Sequence, residues 1–225
     1  ALIVIAALLV VFAAICLWGA WENTAVQLHH ITVKDEKLPQ AFDGYTFAHI
    51  SDLHNTQFGE DQARLIELVK ESKADAVVVT GDVIDKRRPG MEHALDFFSR
   101  AVRLAPVYYV TGNHEAASKE YAALREQIEA MGVTVLDDRA VVIGRDGASL
   151  TLAGVNDPMF TTAAAEKNAQ IMRGELEETL KGADGYTVLL SHRPELFSVY
   201  REAGVDLALA GHAHGGQFRF PWGGG

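Results

Sequence analysis

The chain has 225 residues, 48% of them hydrophobic, and a formal net charge of −10 at pH 7. This length is enough for one substantial core and short for two domains of ordinary size, so we expect one domain with an appendage. A nucleic-acid binder should carry a basic face, which this charge disfavours, and we expect no nucleic-acid partner. The one cysteine, Cys16, lies in an apolar run, so no intrachain disulfide can form.

The first predicted element is the apolar stretch 1–21, which has no charged side chain before Glu22. It is long enough to cross a bilayer as a helix, and Trp18 and Trp21 would lie at headgroup level. The apolar core of a signal peptide is usually shorter, and a core helix would normally show a polar stripe. We predict a single-pass membrane anchor. The flanking cations do not decide which side of the membrane the domain faces.

Residues 22–44 form a predicted linker that ends in an edge strand at 29–33. From Tyr45 onward an apolar strand, a polar loop and an amphipathic helix alternate, which predicts an α/β domain over residues 45–225. The predicted strands are 46–50, 76–80, 107–111, 150–155, 187–190 and 207–210. The predicted helices are 61–72, 91–103, 119–131, 163–180 and 195–203.

Two more apolar segments, 133–136 and 140–143, precede a turn at 144–147 and are typical of an antiparallel meander. After His214 a fold of this kind still needs closing strands. The sequence also begins at Ala1 without an initiator methionine, and we therefore expect the chain to be truncated at both ends.

Polar residues that can bind metals follow five of the predicted strands directly, at the edge where α/β sheets place their ligand sites. These residues stand in the blocks Asp52-x-His54, Gly81-Asp82-x-x-Asp85, Gly112-Asn113-His114-Glu115, Ser191-His192 and Gly211-His212-x-His214. Aspartate and histidine bind manganese, iron or zinc, and alternate residues of an extended loop project to one side. The two oxygens of a carboxylate such as Asp82 can each face a different cation.

Each block taken singly has an ordinary structural explanation. A lone Asp-x-His is usually a loop carboxylate beside an exposed imidazole, and Gly81-Asp82 or Gly112-Asn113 suits a turn. His192 alone would more often be a hydrogen-bonded histidine at a strand end. Five such strand ends in succession, in a chain with nine histidines, favour a shared metal site over these separate explanations.

In this order the five blocks resemble the calcineurin-like metallophosphoesterase superfamily, over residues 45–216. The segments 51–55 and 211–217 resemble its membrane-associated bacterial phosphodiesterases, some of which cleave the nucleotide lipid UDP-2,3-diacylglucosamine. The resemblance implies an α/β/β/α sandwich with two divalent metals, manganese, iron or zinc, at the strand ends. Metal ligands implied by it are Asp52, His54, Asp82 and His214 for the first metal, and Asp82, Asn113, His192 and His212 for the second.

The resemblance also implies that His114 faces the leaving group, a role that suits an imidazole because its ordinary pKa lies near 6.5. Asp85 and Glu115 would orient histidines by accepting a ring N–H, or be solvated carboxylates. The run 86–88 would contact substrate phosphate or an anionic membrane surface, or lie in solvent. Arg193 would contact substrate phosphate or lie in solvent.

We expect metal-dependent hydrolysis of a phosphodiester or pyrophosphate bond in a phosphorylated small molecule or a lipid-linked substrate at the membrane. Two alternatives stay open on the residues alone. One is a phosphomonoesterase or nucleotidase with the same metal centre. The other is a membrane-bound protein that binds metal and phosphate without turnover.

Overall fold

The computed structural model describes residues 2–22 and 25–214. The helices are α1 (Leu2–Glu22), α2 (Ala63–Ser72), α3 (Glu92–Ala101), α4 (Asn113–Ala116), α5 (Tyr121–Ala130), α6 (Asn168–Thr179) and α7 (Phe197–Glu202). The strands are β1 (Phe47–Ile50), β2 (Ala76–Thr80), β3 (Val107–Val110), β4 (Thr134–Val135), β5 (Arg139–Arg145), β6 (Ala148–Gly154), β7 (Tyr186–Ser191) and β8 (Leu207–Ala210). All six predicted strands and all five predicted helices of the domain form, with ends shifted by a few residues.

Helix α1 is apolar around its whole circumference, and its side chains from Leu2 to Trp21 are exposed. A helix in the core of a soluble domain would bury one face. By length and composition the segment Leu2–Trp21 can cross a membrane. The structure therefore contains one helix of membrane-spanning length, placed before the α/β domain.

The domain contains two four-stranded sheets. In the first sheet the order is β1-β2-β3-β4, and every neighbouring pair is parallel. In the second the order is β5-β6-β7-β8, where β5 is antiparallel to β6 and the other pairs are parallel. Parallel strands end at the same edge of a sheet, so the loops after β1, β2 and β3 meet, as do those after β6, β7 and β8.

The two sheets pack face to face between layers of helices. Because successive side chains of a strand point to opposite faces, β2 directs Val77 and Val79 into a core shared with α2, α3 and α5. Its Val78 packs instead with Val188 and Leu190 of β7, between the sheets. Leu189 lies in a third core with α6 and α7. This arrangement confirms the predicted α/β/β/α sandwich.

The predicted edge strand at 29–33 is wrong. Residues 25–35 have no strand assignment, and the Ile31 side chain is 87% exposed. The alternation of apolar side chains is present, but a strand also needs a neighbour for its backbone hydrogen bonds. No strand pairs with this segment in the described part of the chain.

The predicted meander is correct in its second half only. The segment 133–136 contributes β4 to the first sheet, where it pairs with β3 in parallel, so it does not pair with β5. Strands β5 and β6 are antiparallel, joined by Asp146 and Gly147, which both have positive φ (49° and 81°) as a two-residue hairpin turn requires. Local periodicity predicted the strands but contains no information about which neighbour each one pairs with.

The predicted domain boundaries, 1–21, 22–44 and 45–225, stay predictions. Residues 215–225, the end of the predicted domain 45–225, lie outside the described part of the chain.

Candidate metal centre

All eight residues predicted for the site lie together at the carboxyl ends of β1, β2, β3, β7 and β8. Seven of them, all except Asn113, form three overlapping groups in which one ligand atom per residue lies within 4.8 Å of the others. The first group is Asp52, His54 and His214, and the second group is Asp82, His192 and His212. The third, His54, Asp82 and His114, shares a residue with each of the other two. The carboxyl ends of the strands of both sheets lie at the same edge of the sandwich. This brings together residues more than a hundred positions apart in the sequence.

The first group is built from the loops after β1 and β8. The Nε2 atoms of His54 and His214 are 3.0 Å apart, and Asp52 Oδ1 lies 3.4 Å from His214 Nε2. The backbone of this loop is fixed to the next strand, because the N–H of His54 donates to the carbonyl of Asp82 at 2.9 Å. Two imidazole nitrogens and a carboxylate directed at one point suit a divalent cation such as zinc, iron or manganese.

The second group surrounds His192, which is fully buried. Its Nδ1 lies 2.7 Å from the carbonyl oxygen of Thr80, which can only accept, so Nδ1 carries a proton. A neutral His192 therefore has its lone pair on Nε2, the nitrogen that can bind a metal. That Nε2 is 3.2 Å from Asn113 Oδ1 and 3.2 Å from His212 Nδ1. Three donor atoms therefore face one another, as in the first group, and these residues also fit a divalent metal.

Asp82 lies between the two groups. Its Oδ2 is 3.3 Å from His192 Nε2 and 3.9 Å from His54 Nε2, while Oδ1 accepts from the backbone N–H of His114 at 2.7 Å. Burial opposes ionisation of Asp82, but the hydrogen bond and charge of His192 leave its pKa below the usual value. Burial likewise opposes protonation of His192, yet Asp82 raises the His192 pKa to about 9. A buried carboxylate so disposed can face two cations.

The backbone of the site is held in an uncommon conformation. Positive φ angles occur at Asp52 (57°), His54 (47°), Asp82 (52°), His212 (67°) and His214 (50°). Left-handed backbone is rare outside glycine and costs on the order of 1–3 kcal/mol per residue, and such residues cluster at functional sites. The surrounding fold therefore sustains a strained set of loops where the metal-binding side chains project.

Close backbone approach requires glycine at two of the loops. A Cβ on Gly112 would lie 2.3 Å from Asp82 Oδ1, and a Cβ on Gly211 would lie 1.9 Å from Ser51 Oγ. Real Cβ atoms essentially never approach so closely. The glycines of these two motifs thus bring the loops after β3 and β8 against those after β2 and β1.

Glu115 does not orient a histidine, contrary to the expectation from sequence. Its buried carboxylate accepts from the backbone N–H groups of Asp82 (2.7 Å), Ile84 (3.1 Å) and Gly112 (2.8 Å). Burial, with a further contribution from the charge of Asp82, raises the Glu115 pKa to about 7. Glu115 instead fixes the loops after β2 and β3 to each other beneath the site.

Asp85 agrees with its predicted position beside a histidine. Its Oδ1 lies 3.2 Å from His114 Nδ1, and the backbone N–H of Lys86 approaches the same nitrogen at 3.2 Å. His114 stands on α4, one helical turn that the sequence patterns did not predict. This turn moves His114 away from the second group and against His54, with ring centroids 4.5 Å apart.

Arg193 is buried and makes a bidentate ion pair with Asp157. Its Nε and Nη2 donate to the two oxygens of that carboxylate at 2.6 and 3.0 Å, and its Nη1 lies 3.2 Å from His212 Nε2. Sequence reasoning missed Asp157, although it follows a predicted strand as the other site residues do. The strand-end rule applied to β6 would have found it.

Comparisons of the sequence with known proteins point to a family of metal-dependent phosphoesterases. The sequence pattern of calcineurin-like phosphoesterases matches residues 45–216. Metallophosphoesterase YkuE of Bacillus subtilis (strain 168) is 28% identical over 206 residues, covering 89% of this chain and 69% of that protein. Phosphodiesterase YaeI of Escherichia coli (strain K12) is 28% identical over 177 residues, covering 76% and 61%.

A third relative, from Danio rerio, is named a transmembrane protein with a metallophosphoesterase domain. It is 25% identical over 205 residues, which are 85% of this chain and 45% of that protein. The family match covers most of the chain and includes all five metal-binding blocks. This chain therefore belongs to the calcineurin-like phosphoesterase family and is a metal-dependent hydrolase of phosphoester bonds.

Proposed function

We propose that the chain hydrolyses phosphodiester or pyrophosphate bonds at a dinuclear metal centre. The observation that carries this proposal is the position of the Asp82 carboxylate between two groups of ligand atoms. Asp52, His54 and His214 would hold the first metal, Asn113, His192 and His212 the second, and Asp82 both. Such cations supply Lewis-acid stabilisation of phosphoryl charge and lower the pKa of water.

The donor set supports manganese, iron or zinc as the metals, because imidazole and carboxylate together suit these ions. Asn113 contributes a neutral amide oxygen rather than a third carboxylate. This limits the negative charge of the site, which favours the arrival of an anionic phosphate.

His114 would protonate the leaving group. Its Nδ1 cannot donate to Asp85 and accept from the N–H of Lys86 at the same time. The negative charge of Asp85 favours the first, since a charge-assisted hydrogen bond is the stronger one. Nε2, which lies 4.0 Å from Asp82 Oδ2, is then the nitrogen that faces the site and can hold a proton for the departing oxygen.

Replacing His114 with glutamine should lower kcat by about 10²–10⁴, the usual contribution of a general acid. The fall should be larger for an alkyl phosphodiester than for a nitrophenyl phosphodiester, because an alkoxide needs protonation more than a nitrophenolate does. Both substrates are assayed with the intact chain and added manganese, with and without a chelator. The matched control is His30→Gln, since His30 is exposed and belongs to none of the three groups of ligand atoms.

Activity that survives the chelator would contradict the dinuclear proposal. Equal losses on the two diesters would remove His114 from the leaving-group role and leave it a structural part of the site. A nitrophenyl phosphomonoester is assayed beside the two diesters. Faster hydrolysis of this monoester than of either diester would assign a phosphomonoesterase.

We further propose that α1 is a membrane anchor and that the substrate is lipid-linked, such as UDP-2,3-diacylglucosamine. The exposed apolar surface of α1 and the transmembrane relative support this placement. The chain should remain in the membrane pellet after an alkaline carbonate wash, whereas a chain without residues 1–22 should lose that retention. Release of the intact chain by the wash would refute the anchor.

A further inference from the structure

The loop Lys86-Arg87-Arg88 carries three adjacent cations beside the leaving-group side of the site, in a chain whose net charge is −10. All three side chains are exposed. The loop continues directly from Asp85, the carboxylate that contacts His114. Such a concentration of positive charge in an acidic chain attracts anions locally.

Asp85 holds this loop in one conformation. Its Oδ1 accepts from the backbone N–H of Arg87 at 2.9 Å, and its Oδ2 accepts from Arg88 Nε at 3.1 Å. Arg88 Nη2 also donates to the carbonyl oxygen of His54 at 3.3 Å. The backbone N–H of Lys86 lies 3.2 Å from His114 Nδ1. Asp85 thus fixes the loop beside His114, and Arg88 fixes it to the backbone at His54.

The three cations are not equally neutralised. Arg88 pairs with Asp85 at 3.1 Å, and Arg87 approaches the same carboxylate at 3.6 Å. Within residues 2–22 and 25–214, the Lys86 ammonium has no carboxylate oxygen within 4.0 Å. The Lys86 ammonium and the weakly paired Arg87 guanidinium can therefore bind an anion that arrives from solution.

We propose that Lys86 and Arg87 bind a phosphate carried by the leaving group, which makes phosphoanhydrides the preferred substrate class. This inference rests on the proposed function, because it uses the leaving-group position next to His114. Water adds to one phosphorus and the bond from that phosphorus to the bridging oxygen breaks. The bridging oxygen departs with the second phosphoryl group, so both products are phosphate monoesters. The cations would stabilise the negative charge that develops on the departing phosphate.

The test compares two substrates that share the attacked phosphoryl group and differ in the leaving group. Thymidine diphosphate glucose has a phosphorylated leaving group, and the nitrophenyl ester of thymidine monophosphate has an uncharged aryl group. The chains compared are wild type, Lys86→Gln, Arg87→Gln and the double variant. The matched control is Lys73→Gln, an exposed lysine before β2 at the opposite end of the sheet.

For the double variant, the fall in kcat/KM should be about tenfold or more larger on thymidine diphosphate glucose than on the aryl ester, because charge-assisted contacts to the leaving phosphate are removed. Added salt should shrink that difference, because the cations are exposed. Equal losses on both substrates, or none, would overturn the inference. So would reduced binding to anionic lipid vesicles without a change in substrate preference, which would assign the loop to the membrane surface.

The wild-type chain separates this inference from the proposed function. If it cleaves the aryl ester and not the diphosphate, the substrate class is wrong and the phosphodiesterase stands. If it cleaves neither while metals are bound, the proposed function fails, and the inference with it.

Discussion

Replacing Asp82 with asparagine should lower kcat/KM for a phosphodiester by about a thousandfold or more. The asparagine keeps the shape of the side chain but loses the charge that Asp82 places between the two ligand groups. Metal stabilisation of phosphoryl charge contributes several kcal/mol, and each ~1.4 kcal/mol changes a rate tenfold. We expect elemental analysis to find less metal bound to Asp82→Asn than to the wild type.

The control for Asp82→Asn is Asp146→Asn, the same chemical change at the tip of the β5–β6 hairpin. Asp146 is exposed and has positive φ, which asparagine also tolerates. Its activity and metal content should equal those of the wild type. An Asp82→Asn chain that keeps two metals and activity within tenfold of the wild type would show that Asp82 does not bridge the centre.

Replacing Asp157 with alanine should destabilise the domain by about 3 kcal/mol, because it leaves the buried Arg193 guanidinium with only the half-exposed Glu195, 3.5 Å from its Nη1, as a counter-ion. Asp157 is 1% exposed and Arg193 8% exposed, and two hydrogen bonds join them. The alanine also removes the oxygen that accepts from the N–H of Met159 at 2.9 Å. The free energy of unfolding is measured by urea denaturation of the intact chain in detergent.

A double variant, Asp157→Leu with Arg193→Met, should recover part of that loss. Apolar side chains of similar volume often replace a buried ion pair without net destabilisation. The comparison is Glu178→Ala, which breaks the exposed pair with Lys181, both side chains being 75% exposed, and should change stability by less than ~0.5 kcal/mol. A small effect of Asp157→Ala, or a double variant no more stable than the single one, would contradict the proposed energetic importance of the pair.

Much of the site could be predicted because its parts are local. A short β-branched strand such as β2 is recognisable by itself, and Asp82 follows it within two residues. Parallel strands then bring such ends to one edge without further information. Asp157 is local in the same sense, because it lies three residues after the end of β6.

Other features depend on contacts between distant segments. His29 to Val33 has the alternation of a strand but pairs with no strand among residues 25–214. The segment that became β4 joined β3 rather than β5. The orientation of Glu115 toward three backbone N–H groups, rather than a histidine, depends on how the loops after β2 and β3 pack. Which strands pair, and which N–H groups a carboxylate accepts from, is decided only when the folded chain brings distant segments together.

The sequence by itself therefore determined the order of the elements, the α/β class and the identities of the residues able to bind metal. These follow from periodicity and from chemistry at strand ends, which act over a few residues. Only the tertiary structure decided that His54 and His214, which are 160 positions apart, lie with their Nε2 atoms 3.0 Å apart. It likewise joined Asp157 to Arg193, 36 positions away. Such distances depend on sheet packing, to which every layer of the domain contributes.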